Sequence, residues 1–503
     1  MMKCILTPLV LFFCLKGTAQ NVGVGTETPT NQLHVVAPAD PVRIEGLQPG
    51  SLDDSVVTVD TAGVLRKRSG AVTISLTGWS VTGNSSTNSN INFIGTTDNQ
   101  PLVIKTNNQP SGFISPVVTS RNNSIGYGTF SATAAGPGNN VFGYAALPKL
   151  TTGARNIALG DSVSFNVLTG SDNIAIGATA LFTAASAVSN IAIGSGALRN
   201  NLVSENIAIG NKAATGNING NNILAIGANA LSNNKTGSTQ LAIGNNALQQ
   251  ADAGLENIAI GYNAALSITN ASSNVLVGHY ALSTAGGASN NTVLGHNAGL
   301  AYSATGNTNN TFIGYQSAIS QTGGTGNTYI GANVDLPGGT VISNASALGQ
   351  GVQLTASNQV RIGNTAVTSI GGQVNWSTFS DARIKKNVRE DVPGLAFIQK
   401  LRPVTYNYDV GSLQKMQGSR VNMDRTIEAT RFTGLFAQEV EAAAKSSGYN
   451  FSGVDKPANE QTPYALRYAE FVVPLIKAVQ EMKQLIDAQQ KEIDALKEQL
   501  IKQ

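Results

Sequence analysis

Cysteine is nearly missing from this chain: the 503 residues hold two, Cys4 and Cys14, both close to the start. That excludes a disulfide framework for everything beyond them. Aromatic residues are also few, at 15 Phe, 12 Tyr and 2 Trp, which argues against a large aromatic-filled core. Charged residues make up only 12%, and 32 basic against 29 acidic side chains leave a net charge of +3. So even a balance gives no electrostatic reason to expect a nucleic-acid partner. There is no phosphate loop, no His-Glu-x-x-His and no Asp-bearing Gly-Gly-x-Gly-x-Asp pattern of calcium-binding rolls. No metal or cofactor is therefore expected. Glycine is what the chain has in excess: 54 residues, about one in nine, above the usual roughly 7%. Repeated thin layers of small side chains fit that composition.

Residues 1–19 read as a signal peptide. Lys3 gives a basic start, Ile5 to Leu15 is mostly apolar, and Gly17-Thr18-Ala19 supplies small residues before a cut near Ala19–Gln20. The apolar run is far shorter than the ~20 residues a membrane span needs. The bulky Leu11-Phe12-Phe13 before Cys14 argues against lipoprotein processing. The expectation is a secreted or cell-surface chain with no integral membrane span once processed.

Residues 20–135 show short β-like pieces between turn residues, such as Gln32-Leu-His-Val-Val, Ala71-Val-Thr-Ile-Ser-Leu and Pro101-Leu-Val-Ile-Lys. They read as a β-rich stalk or attachment region. His34 reads as a solvated strand residue, since no other His or Cys lies near it in sequence.

Between residues 136 and 335 the chain repeats. A glycine closes an apolar triplet at positions 143, 160, 177, 194, 210, 227, 244, 261, 278, 295, 314 and 331, almost always 17 residues apart. A fixed period means an array of stacked units, and here a parallel β-solenoid is expected. In the unit Asn173-Ile-Ala-Ile-Gly, alternation places Ile174 and Ile176 on one face and Ala175 on the other. The expectation is that the isoleucines line the core, and that alanine on the reverse face lets another chain pack closely. The following Ala180-Leu181 is expected to form a second short strand against the same core. Glycine at the corner permits a positive φ or a close backbone approach. Twelve rungs at ~4.8 Å per strand would make a rod of roughly 58 Å. His279 and His296, one period apart, read as a surface pair stacked on neighbouring rungs. These units resemble the head repeats of YadA-like trimeric autotransporter adhesins, whose Asn-x-hydrophobic-Ala-hydrophobic-Gly motif builds a parallel β-roll in a trimer. Those repeats are nearer fourteen residues, and the family's membrane anchor is not seen here.

Residues 336–379 leave the period and read as a β neck, with strands at Asn358–Asn364 and Gln373–Phe379 and with Trp376 as an anchor where chains would meet. Then the composition changes. The 379 residues before Ser380 carry 27 charged side chains, whereas the 124 from Ser380 onward carry 34.

Residues 380–470 read as an α+β domain and 471–503 as a coiled coil. Helical spacing covers Leu395–Leu401, a strand follows from Pro403 to Tyr408, residues 411–430 read as a polar excursion, and Arg431–Val440 passes from strand to helix. The final helix has apolar residues at Val472, Leu475, Val479, Met482, Ile486, Ile493, Leu496 and Leu500, the 3-4 spacing of a coiled coil. By simple rules that pattern favours dimers, and an amphipathic helix packed on its own domain is the alternative.

Four motifs in order resemble the intramolecular chaperone auto-processing domain of phage endosialidases and tail spikes. They are Ser380-Asp-x-Arg-x-Lys385, Leu401-Arg-Pro-Val-Thr-Tyr, Gly434-x-Phe-Ala-Gln-Glu-Val440 and Tyr468-x-Glu-Phe-Val-Val-Pro-Leu-Ile. A similar domain occurs in a membrane-bound animal transcription factor that cuts itself after trimerising. The resemblance implies a homotrimer, a catalytic dyad of Ser380 and Lys385, and cleavage between Phe379 and Ser380. On the residues alone, Phe379–Asn387 reads as a basic, solvated strand-to-helix linker rather than a site, and it is the surrounding motifs that reverse this. The chemistry suits the dyad, because a serine hydroxyl needs a base and a neutral lysine can be one. Burial, with Arg383, Lys386 and Arg389 nearby, is expected to favour that neutral form. Asp381 is expected to position the strand or to pair with Arg383.

Three functional classes follow. One is a secreted trimeric fibre or adhesin-like protein with a self-cleaving chaperone, which would meet a host surface or glycan receptor. The second is a phage-like tail fibre with an inactive chaperone. The third, a glycan-degrading enzyme, would need paired carboxylates that the repeat does not offer at consistent positions.

Overall fold

The computed structural model describes residues 22–24, 27, 33–35, 56–59, 61–62, 65–68, 79–80, 82–116, 120–130, 136–303, 306, 308–339, 341–418 and 423–502. The expected signal peptide and the expected strand at Ala71–Leu76 lie outside them. Residues 1–94 and 95–503 are separate compact units. In the first, Val22–Val24 pairs in parallel with Leu33–Val35, which holds His34, and Val56–Val59 pairs antiparallel with Leu65–Arg68.

The second unit opens with a hairpin, Leu102–Thr106 against Gln109–Ile114. Its two-residue loop is Asn107-Asn108, with φ of 49° and 58°, the left-handed pair that a tight hairpin turn demands. The hairpin pairs antiparallel with Asn123–Ile125. From that strand to Val360–Ile362 all pairing is parallel and in sequence order. Three-residue strands run rung upon rung from Asn123–Ile125 to Val360–Ile362, making a β-solenoid of about 14 turns. The ladder extends past the span in which the period is regular. Asn123-Ser-Ile and Val360-Arg-Ile lack the Ile-Ala-Ile pattern, and the last two steps change length, yet their backbones still pair.

Alternation holds within each strand, but its sense is the reverse of expectation. Ala175, Ala192, Ala208, Ala225, Ala242 and Ala259 are fully buried, while the flanking Ile and Leu residues are only half-buried and face outward. Volume explains this. The inward columns opposite are filled by residues such as Ala180, Leu181 and Ala184, also fully buried, and so thin a rung leaves no space for two isoleucines. Where the inward column grows, to Leu276, Val293, Phe312 and Tyr329, the leucine column shrinks from Leu282 to Gly299 and Ala318. At Gly299 the trade is direct, since a Cβ there would lie 3.0 Å from Leu282 Cδ1 and 3.4 Å from the Phe312 ring.

Ala180-Leu181 does not form a second strand. Thr179 and Leu181 have φ of 56° and 50°, which no strand accommodates. The turn nevertheless stays in the ladder: Leu181 N donates to Ala197 O at 3.0 Å, and Ser164 N donates to Ala180 O at 2.9 Å.

A column of asparagines, Asn156, Asn173, Asn190 and Asn206 and again Asn257, Asn274, Asn291, Asn310 and Asn327, is buried just before the strands. Asn173 Nδ2 donates to Asn156 Oδ1 at 3.1 Å and to Ala187 O at 2.9 Å, and Asn190 N donates to Asn173 Oδ1 at 3.0 Å. Each amide therefore ties three rungs together and satisfies backbone groups that the core would otherwise orphan. Ile223 interrupts the column, and there Asn201, Asn217 and Asn234 form a parallel ladder beside it, with links of 2.7 and 2.8 Å.

The C-terminal region packs α1 (Leu395–Ile398), α3 (Ala437–Ser446) and the start of α4 (Val472–Ile501) around Phe397, Val440, Phe451 and Phe471. Ring centroids lie 5.2 Å apart for Phe397–Phe451 and 4.8 Å for Phe451–Phe471. Val404–Tyr406 and Phe432–Gly434 form a small antiparallel sheet. The expected polar excursion holds a helix, α2 (Val410–Gln417), capped by Asp409, which accepts from Ser412 N at 2.8 Å, and stopped by Gly418 at φ 61°. Pro474 lies in the first turn of α4, where its missing N–H costs no helical bond. No described helix is long and apolar enough to cross a membrane.

Candidate functional site

The junction between solenoid and C-terminal domain is almost entirely exposed. The strand expected at Gln373–Phe379 is absent, and Trp376 and Phe379 are 87% and 95% exposed. Without a partner strand, the alternating residues of this stretch have nothing to pair with in one chain.

One local structure breaks the extended run. Asp381 caps a single 3-10 turn, Ala382–Ile384, accepting from Arg383 N at 2.8 Å. Ile384 N and Lys385 N close the turn on Asp381 O and Ala382 O, each at 3.2 Å. The turn reverses the chain and brings Lys385 back toward Ser380. Lys385 Nζ donates to Ser380 Oγ at 2.8 Å. The serine and lysine singled out in the sequence are thus in direct contact.

Asp381 does pair with Arg383, at 2.6 Å. The guanidinium holds the Asp381 carboxyl below the usual carboxylate range, and the carboxylate raises Arg383 in turn. Both groups are solvated, so the pair adds little to stability. Its effect is on shape, since it fixes the turn. It also neutralises one of the three positive charges expected to act on Lys385. The expected burial of Lys385 is not found either: within one chain it is exposed, because residues 366–390 pack against nothing that would cover it.

His279 and His296 stack at 6.1 Å between Tyr262 and Tyr315, as an exposed row on successive rungs. No cluster of three or more metal-ligating side chains occurs among the described residues.

The fold and the site together define an architecture: a parallel β-solenoid joined to a small α/β domain, with a Ser-Lys contact at the junction. Comparison with known families agrees. Residues 380–449 match the peptidase family described as chaperone of endosialidase, and the match begins at Ser380 itself. No curated protein and no solved structure matches the chain.

Two features of the site were missed in the sequence. One is the Asp381 cap, which the Ser-Asp-x-Arg spacing could have suggested as an Asx turn. The other is helix α2, signalled by Asp409 at its start and Gly418 at its end.

Proposed function

We propose that this chain is a secreted, trimeric, fibre-forming surface protein whose C-terminal domain sets the register of the solenoid and then cleaves its own backbone link to it. The observation that carries this reading is the 2.8 Å contact of Lys385 Nζ with Ser380 Oγ, at the residue where the family match starts. Export by residues 1–19 is part of the proposal, as is contact of the fibre with a host surface or glycan receptor.

Two unpartnered apolar surfaces support self-association. The outward Ile and Leu ladder runs the length of the solenoid, with Leu159, Ile209 and Ile330 from 36% to 42% exposed. On α4 the heptad positions Leu475, Val479, Ile486, Ile493 and Leu496 are all exposed. Covering a half-exposed isoleucine contributes about 1 kcal/mol, so a ladder of them is a large driving force. Near-identical rungs also invite register slips, and non-local β pairing is slow. A clamp at one end answers both problems, and cutting the chain afterwards removes the reverse path and leaves an assembly that is kinetically stable.

The cleavage step is written as follows. Neutral Lys385 takes the Ser380 Oγ proton as Oγ attacks the carbonyl carbon of Phe379. The C–N bond breaks, and the proton passes to the Ser380 nitrogen, leaving an ester between Phe379 and Ser380 Oγ. Water then adds to the ester carbon, restoring the Ser380 hydroxyl and leaving a carboxylate on Phe379.

The exposure of Lys385 favours a second reading, in which the domain assembles a tail-fibre-like receptor-binding protein without cutting. Intact mass of the expressed protein, native and denatured, separates the two. The first reading expects a trimer with fragments that meet at Phe379–Ser380. A full-length denatured mass within a native trimer would establish the second, and a native monomer would overturn both.

A further inference from the structure

The last rung breaks the pattern of its column. Register places Arg361 beside Ala347, in the inward column that upstream carries Ala, Leu, Val, Phe and Tyr. No rung follows among the described residues, so the core should end open here. Instead Val352 and Leu354 are 1% and 0% exposed. Solenoid ends need a cap, both to cover core side chains and to blunt an unpaired strand edge.

The C-terminal domain is at that end. Asn459 Nδ2 donates to Thr355 O at 3.0 Å, and Thr365 Oγ1 donates to Asp424 O at 2.9 Å. A polar cleft of about 400 Å³ separates the last rungs from α2, and Arg361 lines it. Arg361 Nε is buried with no hydrogen-bond partner. Burial pushes its guanidinium down while the Asp455 carboxylate, across the interface, pulls it up. A cation thus stands where the hydrophobic column ends, while Asp455 itself is paired with Arg467 at 2.5 Å and acts on Arg361 only from a distance.

We propose that the C-terminal domain is the end cap of the solenoid and stays seated on it, through the contacts at Thr355 and Thr365 beside the buried Arg361, after the backbone is cut. Its partner surface is therefore the terminal rung of this same chain. This rests on the self-cleavage reading for its occurrence in nature, but it can be tested without that reading.

The test uses the full chain with Ser380→Ala and a foreign protease site inserted between Gly371 and Gly372, in the exposed segment. After cutting, the sample is passed over a sizing column at about 0.15 M salt, where exposed charges are screened beyond ~8 Å. The α4 stripe can hold fragments to one another but not to the solenoid, so co-elution of the two pieces reports the cap. Both pieces are expected in one peak. Arg361→Gln with Asn459→Ala is expected to raise the separated fraction at least tenfold. Asn459→Ala alone, which leaves the solenoid sequence untouched, is expected to act in the same direction. Separation of the pieces in the cut protein with its interface intact overturns the proposal, and so does equal retention by all variants. Whether the natural serine cuts is read from denaturing gels of the parent chain, and that result stands apart from retention.

Discussion

A Cβ added to Gly177 would lie 2.6 Å from the carbonyl carbon of Gly194 and 2.7 Å from its oxygen. The same relation links each repeat glycine to the next along most of the ladder, so the corner is a place where two backbones approach too closely for any side chain. Gly177 also has φ of 120°, so an alanine there is strained as well as crowded. Gly177→Ala is expected to cost about 3 kcal/mol or more, at the upper end of single-site backbone strain. Gly286→Ala, with nothing within 4 Å of its Cβ, should be nearly neutral. Denaturant midpoints of the two variants compare the costs, and equal midpoints would remove the close-approach argument.

Asn274 receives and gives more hydrogen bonds than any surface residue could justify. Its Nδ2 donates to Asn257 Oδ1 at 2.9 Å and Ala288 O at 2.8 Å, while Asn291 N and Nδ2 donate to its Oδ1 at 3.0 and 3.2 Å. Asn274→Ala leaves buried backbone and amide groups unpaired, each costing about 1–3 kcal/mol. The expected loss is larger than at Ile223, where the second ladder through Asn217 already compensates. Hydrogen exchange across rungs 257–291 should show the opening locally.

How much of this was legible follows from period and volume. The period named the solenoid, and Gly177 announced its corner, because glycine at fixed spacing has few other uses. The direction in which Ile174 and Ile176 point was not legible, since alternation gives two faces without saying which is the core. That is decided by the width of the rung, set by Ala180, Leu181 and Ala184 together. The role of Asn173 was hidden for a related reason: one asparagine before a strand reads as polar and exposed until its neighbours one period away stack on it. At the junction, Ser380 and Lys385 were legible as a pair through motif order. The exposure of Lys385 was not, because burial is a property of the packing around it.

The outward isoleucines make a separable prediction. Since they are not core, Ile193→Lys with Ile226→Lys should leave each solenoid folded, while placing charges in the proposed interface between copies. Native mass should fall from trimer to monomer at micromolar concentration, with an unchanged circular dichroism spectrum. A trimer that persists would move the interface to α4 alone, and unfolding would mean that the isoleucines are core after all.

Acid sensitivity of the C-terminal domain should centre on Glu441. Hydrogen bonds from Lys456, Lys445 and Tyr464 lower its carboxyl from 4.5 to about 2. A group depressed on folding stabilises above its unfolded value and loses that contribution as pH falls through its folded one. The window is therefore from about 4.5 down to about 2. Glu441→Gln should flatten the dependence of the melting temperature on pH across that window while lowering it above pH 5. An unchanged slope would assign the acid response to other carboxylates.

Lys385 can act in two ways, and one substitution separates them. As a base it must be neutral to take the Ser380 proton. As a cation it would only orient the hydroxyl through the 2.8 Å contact. Lys385→Arg keeps a positive donor of similar reach but cannot be deprotonated in this range. If Lys385 is the base, the arginine chain is expected to assemble into trimers and remain full-length on denaturing gels, like Ser380→Ala. In the parent chain, the cleavage rate should then climb with pH, since the neutral amine is the reactive form. Cutting by Lys385→Arg at near the parent rate, with a rate flat in pH, would reduce the lysine to a positioning residue. Because the pair is exposed in a single chain, the parent rate should also depend on protein concentration until trimers form. That dependence should vanish in the Ile193→Lys, Ile226→Lys chain if the solenoid faces, rather than α4, bring the copies together.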